Sequence, residues 1–340
     1  MKKLIGITAI AFLVSMCSTE IDLLEDWKET SVVYGLLDQT QPKQYIRIQK
    51  AFLGPDNAFA MAQQFDSINY VNTLDVKIEQ ILNGTVINVF TLTPDTFYNK
   101  QSGDFYSPMQ VIYSFDTPSG LADNCEYHLI VNNSQTGNTA QSTTTLVEDF
   151  LITAPQGPSV SFIKPNVSTK VEVKWGGAPS ARMYELAMYF HYFETDLNNV
   201  TTSKTTPPWI IGGILTSSVT ANSVQSIKFD PDGFYRFVAA QVPNDDNVTK
   251  RRSGHVEFVV YACGDGLRQF MEINGPSSGL AQEKPIFTNI ENGQGIFSAR
   301  TTAVKTPLTL TPQSLDSISY GRFTCPLKFE DRNGIIVGCQ

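Results

Sequence analysis

Chemistry in this sequence could come from three histidines, one Gly-x-Ser-x-Gly pentapeptide and a few acidic turns. Gly275-Pro276-Ser277-Ser278-Gly279 has the spacing of a nucleophile elbow, which lifts a serine out of a sharp turn between a buried strand and a helix. Met271-Glu272-Ile273-Asn274 before it and Gln282-Glu283-Lys284-Pro285 after it supply neither element. His128, His191 and His255 all lie upstream, whereas that architecture places histidine last. A Gly/Pro/Ser loop accounts for the segment better. The histidines are isolated in the sequence and lack metal-ligand spacing. Asp230-Pro231-Asp232-Gly233 and Asn244-Asp245-Asp246-Asn247 carry oxygens that suit calcium, but not the spacing of an EF-hand, and turn chemistry explains both. No phosphate loop or dinucleotide fingerprint is present. The reading is a non-catalytic chain with no catalytic residue, no metal site and no cofactor.

Contact chemistry is better represented. In Thr206-Pro207-Pro208-Trp209-Ile210-Ile211-Gly212-Gly213 the prolines limit the entropy lost on binding, and tryptophan is a frequent hot-spot residue. Pro207, Pro208, Trp209 and Ile210 are therefore a candidate partner-binding loop, with Trp209 capping its own core as the competing reading. In an alternative role, Trp209, Tyr189 and Tyr192 would line a groove for a glycan or peptide. Asp66-Ser67-Ile68 and Asp316-Ser317-Ile318 resemble the Asp-Ser/Thr-apolar acceptor of periplasmic O-glycosylation, making Ser67 and Ser317 candidate acceptors.

The elements that must position these groups read as strands. Ser31–Leu37 is β-rich, and Gln44–Ile48 alternates polar with apolar. Val76–Leu82, Asn83-Gly84 and Thr85–Phe90 form the clearest hairpin. Tyr127–Val131 and Ala140–Leu146 flank a turn at 135–138. Val171–Trp175, Tyr184–Phe193, Phe234–Val242 and His255–Ala262 continue the series, with Tyr184, Leu186, Met188, Phe190 and Tyr192 on one face. Leu267–Ile273 is the best short helix. Trp175, the following loop and the Tyr184 strand resemble a fibronectin type III module. The spacing predicts an all-β chain of two tandem immunoglobulin/fibronectin-like β-sandwiches with a short helix in the second. The loop-like run at 153–158 sets the division into a domain at 31–153 and a β-rich domain at 154–340.

Five cysteines are present. Thr324–Phe329 and Ile335–Cys339 read as strands around Asp331-Arg332-Asn333-Gly334. With Phe329 opposite Ile335, Leu327 faces Val337 and Cys325 faces Cys339, all on one side of the hairpin. A Cys325–Cys339 disulfide follows, at a separation directly opposed strand positions can bridge. Cys125 and Cys263 can pair or remain thiols.

With 340 residues and 41% hydrophobic content the chain can bury a sizeable core. Its 21 Phe and 13 Tyr argue against disorder. The net charge of −8 disfavours nucleic acid, which rewards clustered Lys and Arg. The one dense basic run, Lys250-Arg251-Arg252, reads as a solvated loop beside Asp245 and Asp246.

Lys2 and Lys3 precede an uncharged run, Leu4–Met16, that is shorter than the roughly 20 apolar residues a spanning helix needs and suits a signal peptide at 1–16. The ending Leu13-Val14-Ser15-Met16-Cys17 resembles a bacterial lipobox, with Met16 standing where that motif prefers a small residue. This implies lipidation at Cys17, followed by a tether at 17–30 whose acidic start, Ser18–Asp26, resembles the surface-export signal of Bacteroidota. Several acyl chains hold a protein at a membrane without a spanning helix. Together with Val32-Val33-Tyr34-Gly35-Leu36-Leu37, Tyr127-His128-Leu129 and Phe287-Thr288-Asn289-Ile290-Glu291-Asn292-Gly293-Gln294-Gly295-Ile296-Phe297-Ser298-Ala299, these features resemble the Bacteroidota lipoproteins of domain-of-unknown-function family 4249. The resemblance implies an outer-membrane lipoprotein, lipid-anchored at the cell surface. Its expected role is an accessory subunit of an envelope assembly, such as a TonB-dependent transporter or barrel-assembly complex. The alternative is a glycan- or peptide-binding module feeding a neighbouring transporter.

Overall fold

The structure, a computed structural model, describes residues 29–51, 58–216, 220, 223–275 and 286–339. The leader, Cys17 and the tether through residue 28 lie outside the described residues, as does Ser277 of the Gly-x-Ser-x-Gly segment. The chain is mostly β and its sheets pack as sandwiches, as the alternation predicts.

The first half contains β1 (Thr30–Leu37), β2 (Lys43–Ala51), β3 (Leu74–Leu82), β4 (Thr85–Thr91), β5 (Thr93–Phe97), β6 (Gln110–Asp116), β7 (Glu126–Asn133) and β8 (Thr139–Thr145). Two short helices, α1 (Ala58–Ala62) and α2 (Phe65–Ile68), follow β2. The β3–β4 hairpin turns at Asn83 and Gly84, both at positive φ (50° and 77°), the twist that a two-residue loop between right-twisted strands requires.

The second half contains β9 (Ile152–Ala154), β10 (Ser159–Val160), β11 (Val171–Gly176), β12 (Met183–Asp196), β13 (Thr201–Thr205), β14 (Trp209–Leu215) and β15 (Val224–Phe229). It continues with α3 (Asp232–Gln241), β16 (Val248–Cys263), α4 (Asp265–Asn274), β17 (Gly293–Leu310) and α5 (Pro312–Tyr320). The face of β12 predicted to be apolar is buried throughout, from Tyr184 to Tyr192. Trp175 is fully buried, its ring centroid 5.6 Å from that of Tyr184.

Three sheets result. The largest runs β13-β12-β16-β17-β1-β2-β6-β5, with β14 also on β12 and β10 on β17. The others run β4-β3-β7-β8 and β15-β11-β9. Strand β17 joins the halves: residues 300–308 pair antiparallel with β16, and 293–299 pair parallel with β1. Gly295 makes the parallel register feasible. It opposes Val33 at φ 102°, and a Cβ there would stand 2.0 Å from the Val33 carbonyl oxygen. Both segments that carry the family resemblance near the termini therefore meet in one strand pair.

Three local expectations differ from the structure. Phe234–Val242, expected as a strand, lies mostly in α3: Phe234, Tyr235 and Val238 are buried, at helical spacing, and the Asp230–Gly233 turn is the helix start. Lys250–Arg252 lies inside β16 rather than in a loop, and Arg251 is wholly buried. The Cys325–Cys339 disulfide is present, with Cα atoms 4.8 Å apart, but not within a hairpin. Residues Cys325–Leu327 form a 3-10 turn, and Lys328 at φ 60° turns Phe329 into the core against Phe190 and Tyr192. Backbone bonds run instead between Arg251 and the segment, from the Arg251 amide to the Lys328 carbonyl (2.8 Å) and from the Glu330 amide to the Arg251 carbonyl (2.8 Å). The predicted Leu327–Val337 pairing is not formed: Leu327 lies buried in the 3-10 turn, and Val337 is exposed and outside any strand.

Candidate functional site

The bulge in β12 and β16 brings together two histidines that are isolated in sequence. His191 and His255 stack with ring centroids 4.2 Å apart and planes 14° from parallel. His191 Nδ1 shares a hydrogen bond with Thr205 Oγ1 (2.9 Å), while Nε2 is buried and unpartnered. Burial, then the neighbouring His255, pushes the His191 pKa down, against the pull of Glu257. Parallel stacked rings cannot both direct a nitrogen at one ion. Among the described residues no group of three or more His, Cys, Asp or Glu is placed to hold a metal. His128 stands apart, with Nδ1 3.3 Å from Glu79 Oε2 across β7 and β3.

Lysine serves the first acidic turn. Asp230 accepts from Lys164 Nζ (2.5 Å) and Lys170 Nζ (3.4 Å), and the Lys164 hydrogen bond leads in holding its pKa down at about 2. In the second turn Asp245 Oδ1 accepts the Asn247 amide at 2.8 Å, the local bonding that turn chemistry implies.

The Trp209 segment is not a loop. Trp209 opens β14 on the edge of β12, with Ile210 opposite Ala187. Its ring stacks on Phe237 (centroids 5.5 Å, planes 15°) and meets Phe229 edge-on (5.4 Å). Gly233 makes room for it: a Cβ there would lie 2.7 Å from Trp209 Cη2. Trp209 therefore caps its own core, and what Pro207, Pro208 and Ile210 offer to solvent lacks the aromatic anchor. Tyr192 is buried, and Tyr189 shares a hydrogen bond with Tyr261 (3.3 Å), so the three aromatics do not line a common groove.

A polar cleft of about 330 Å³ lies between β8 and α4, lined by Glu126, Thr144, Ser180, Arg182, Asp265 and Asn289. Of its charged residues Asp265 is paired, with Arg268 (2.8 Å), which also pairs with Glu272 (2.5 Å). Cys125 and Cys263 are separate buried thiols, and burial raises the Cys263 pKa to about 11, which removes nucleophilic character. Ser67 and Ser317 are half-buried within α2 and α5.

The most distinctive surface feature is the disulfide-closed segment 325–339. Ile335, Ile336 and Val337 are 58%, 40% and 38% exposed. Their backbone is held from several sides. The Asp331 carboxylate accepts the amides of Asn333 and Ile335 (2.8 Å each), Arg332 pairs with Asp316, and Leu327 and Phe329 root the loop in the core. Arg251 fixes that root. It donates to Glu194 Oε2 (2.9 Å), the Leu327 carbonyl (2.6 Å) and the Pro243 carbonyl (2.9 Å). Sequence reasoning found the disulfide but missed Arg251. The available signal was its position within a strand-length run, 248–263, where alternation requires some side chains to face inward.

No family model matches the chain, and no curated protein matches it. The solved structures similar to it include the C-terminal globular domain of an oligosaccharyltransferase from Pyrococcus abyssi, at 11% identity and a TM-score of 0.24. That alignment covers 66% of this chain and 42% of the other, so the match spans less than half of that structure's length.

Proposed function

We propose that the chain is a lipid-anchored lipoprotein of the outer membrane, exposed at the cell surface, that acts by contact as an accessory subunit of an envelope assembly. A TonB-dependent transporter or a barrel-assembly complex is the kind of partner envisaged. The lipobox-like run ending at Cys17, its acidic follow-on and the family 4249 resemblance support the placement. One observation carries the contact role: Ile335, Ile336 and Val337 stand in solvent on a loop fixed by a disulfide, an aspartate turn and an ion pair. Exposed apolar side chains on a rigid loop lose little conformational freedom on binding, which favours recognition. The family assignment and the absence of catalysis belong to the same proposal.

Purification of the full chain from its native envelope in mild detergent, with mass spectrometry of the intact protein and its companions, tests both parts. A diacylglycerol-bearing Cys17 and a stoichiometric barrel partner, lost on Ile336→Asp, are the expected results. A mature chain with a bare thiol at Cys17, or a complex indifferent to Ile336→Asp, refutes the anchor or the contact site respectively.

A further inference from the structure

We infer that the outer face of the β1–β2 pair is a binding site for an acidic oligosaccharide, whose carboxylate Arg47 receives and whose rings lie on Tyr34 and Tyr45. Alternation turns Gln44, Ile46 and Ile48 of β2 into the core and leaves Tyr45 and Arg47 on the other face. Tyr34, the one exposed side chain of the 32–37 run, stands directly opposite Arg47 in the antiparallel register. Tyr45 lies two residues along β2 from Arg47, so the guanidinium sits between two phenols that are 42% and 47% exposed. The rings are braced from opposite sides of the strand pair. Tyr34 meets Phe270 of α4 edge-on (centroids 6.4 Å), and Tyr45 meets Phe97 of β5 edge-on (6.1 Å). Braced rings lose little freedom on binding, and their flat faces suit the C–H face of a pyranose.

Arg47 supplies the charge. Its side chain forms no ion pair with any described residue, and its Nε is buried without a hydrogen-bond partner. An arginine withdrawn from water is normally matched by a carboxylate, because an uncompensated charge there is costly. Here burial lowers the Arg47 pKa, and Tyr34 rather than an acid opposes that. The neighbouring charge is a second cation: burial, then Arg47, lowers the pKa of Lys100 on the loop after β5. Lys43 adds a third, 6.0 Å from the Tyr45 ring centroid. The exposed acids of this face stand aside, Asp95 out on β5 and Asp116 at 4.0 Å from Lys43. On a chain of net charge −8, a local excess of cations selects an anion. The guanidinium is a planar fork that matches a carboxylate, and tyrosines at diagonal strand positions, about 7–8 Å apart, suit successive rings of a saccharide chain. The site depends neither on the lipid anchor nor on the 335–337 contact.

Calorimetric titration of the full chain in detergent tests it, with a panel of uronate-bearing oligosaccharides, their neutral counterparts and a single-stranded DNA oligomer as probes. Uronate oligomers should bind, and the neutral ones at least about tenfold more weakly. Arg47→Met keeps the apolar stem without the fork and should lower affinity for the acidic oligomers at least about tenfold. The Tm should hold, because the guanidinium bonds nothing in the protein, so the loss cannot be ascribed to unfolding. Tyr45→Ala should lower affinity several-fold. A chain that binds no uronate oligomer, binds acidic and neutral oligomers alike, prefers the DNA, or keeps its affinity in Arg47→Met overturns the proposal.

Discussion

Trp209→Ala separates a core role for the 206–213 segment from a binding role. Tryptophan carries about 150–250 Å² of buried surface in a full core position. Trp209 is only partly buried, so roughly 100 Å² returns to water, costing about 2.5 kcal/mol at ~25 cal/mol per Å². Loss of the stacked contact with Phe237 and the edge-on contact with Phe229 adds about 0.5–1 kcal/mol. A total near 3 kcal/mol lowers the Tm by about 4 °C for a chain of 340 residues. Thermal unfolding followed by circular dichroism reads this directly. Ile210→Ala, at a side chain 49% exposed, should stay within about 0.5 kcal/mol of wild type. Gly233→Ala reaches the same site from the other side, because its Cβ would lie 2.7 Å from the ring. It should lower the Tm with the tryptophan intact. A Trp209→Ala protein with unchanged Tm that loses a partner would refute the packing argument and restore the interface reading.

Other perturbations probe other joints of the molecule. Gly295→Ala should open the β1–β17 pair, cost more than about 3 kcal/mol, and show as accelerated amide exchange in both strands, since the new Cβ meets backbone rather than a movable side chain. Arg251→Ala leaves Glu194 and two carbonyls without their partner and should cost about 3–5 kcal/mol, whereas the double variant Arg251→Met/Glu194→Leu should recover much of it in chemical denaturation. Reducing Cys325–Cys339, which closes a loop over a sequence separation of 14, should cost about 3 kcal/mol and loosen residues 331–337 first, seen by limited proteolysis. The His191 pKa is lowered in the folded state, so the unfolded chain binds more protons. Stability should therefore decline as pH falls below about 6.5, and His255→Asn should flatten that decline in pH-dependent melting.

Local grammar carried much of this fold in the sequence. Asn83-Gly84 names its turn because few other pairs tolerate two positive φ angles, and the alternation from Tyr184 to Tyr192 names the buried face of β12. Residues 234–238 were harder: Phe234, Tyr235, Phe237 and Val238 are too densely apolar to separate a period of two from one of 3.6. Helix α3 prevails because the aspartate turn starts it and Phe162 stacks on Phe234, 4.1 Å between centroids. For the cysteines the pairing was legible and the mechanism was not. Opposed strand positions are not required: the pull of the core on Phe329 places the same sulfurs together through a 3-10 turn. The His191–His255 stack depends on the register of two strands with a bulge, whose local signature is Gly254, where a Cβ would stand 2.7 Å from the His191 carbonyl oxygen. The parallel β1–β17 pair, formed between opposite ends of the described chain, has no local signature except its glycines.

Those glycines decide what the family resemblance can mean. Gly293 and Gly295 let β17 approach the backbone of β1, and a Cβ on Gly35 would meet the Phe297 ring at 3.0 Å. Asn289 completes the arrangement by acting as a piece of strand: its side chain donates to the Phe297 carbonyl (2.7 Å) and accepts the Phe297 amide (2.9 Å). Its own carbonyl takes the Ser142 hydroxyl at 2.7 Å, tying the segment to β8. The residues that carry the resemblance near the two termini therefore build a seam and present little to a partner. Chains sharing them would share the joint between their halves while differing freely at 335–337. Substitutions at 293–297 should move the melting temperature and leave partner choice alone, and those at 335–337 should do the reverse. A resemblance concentrated in the seam is thus an argument about architecture, and it carries no information about what the exposed side chains at 335–337 would contact.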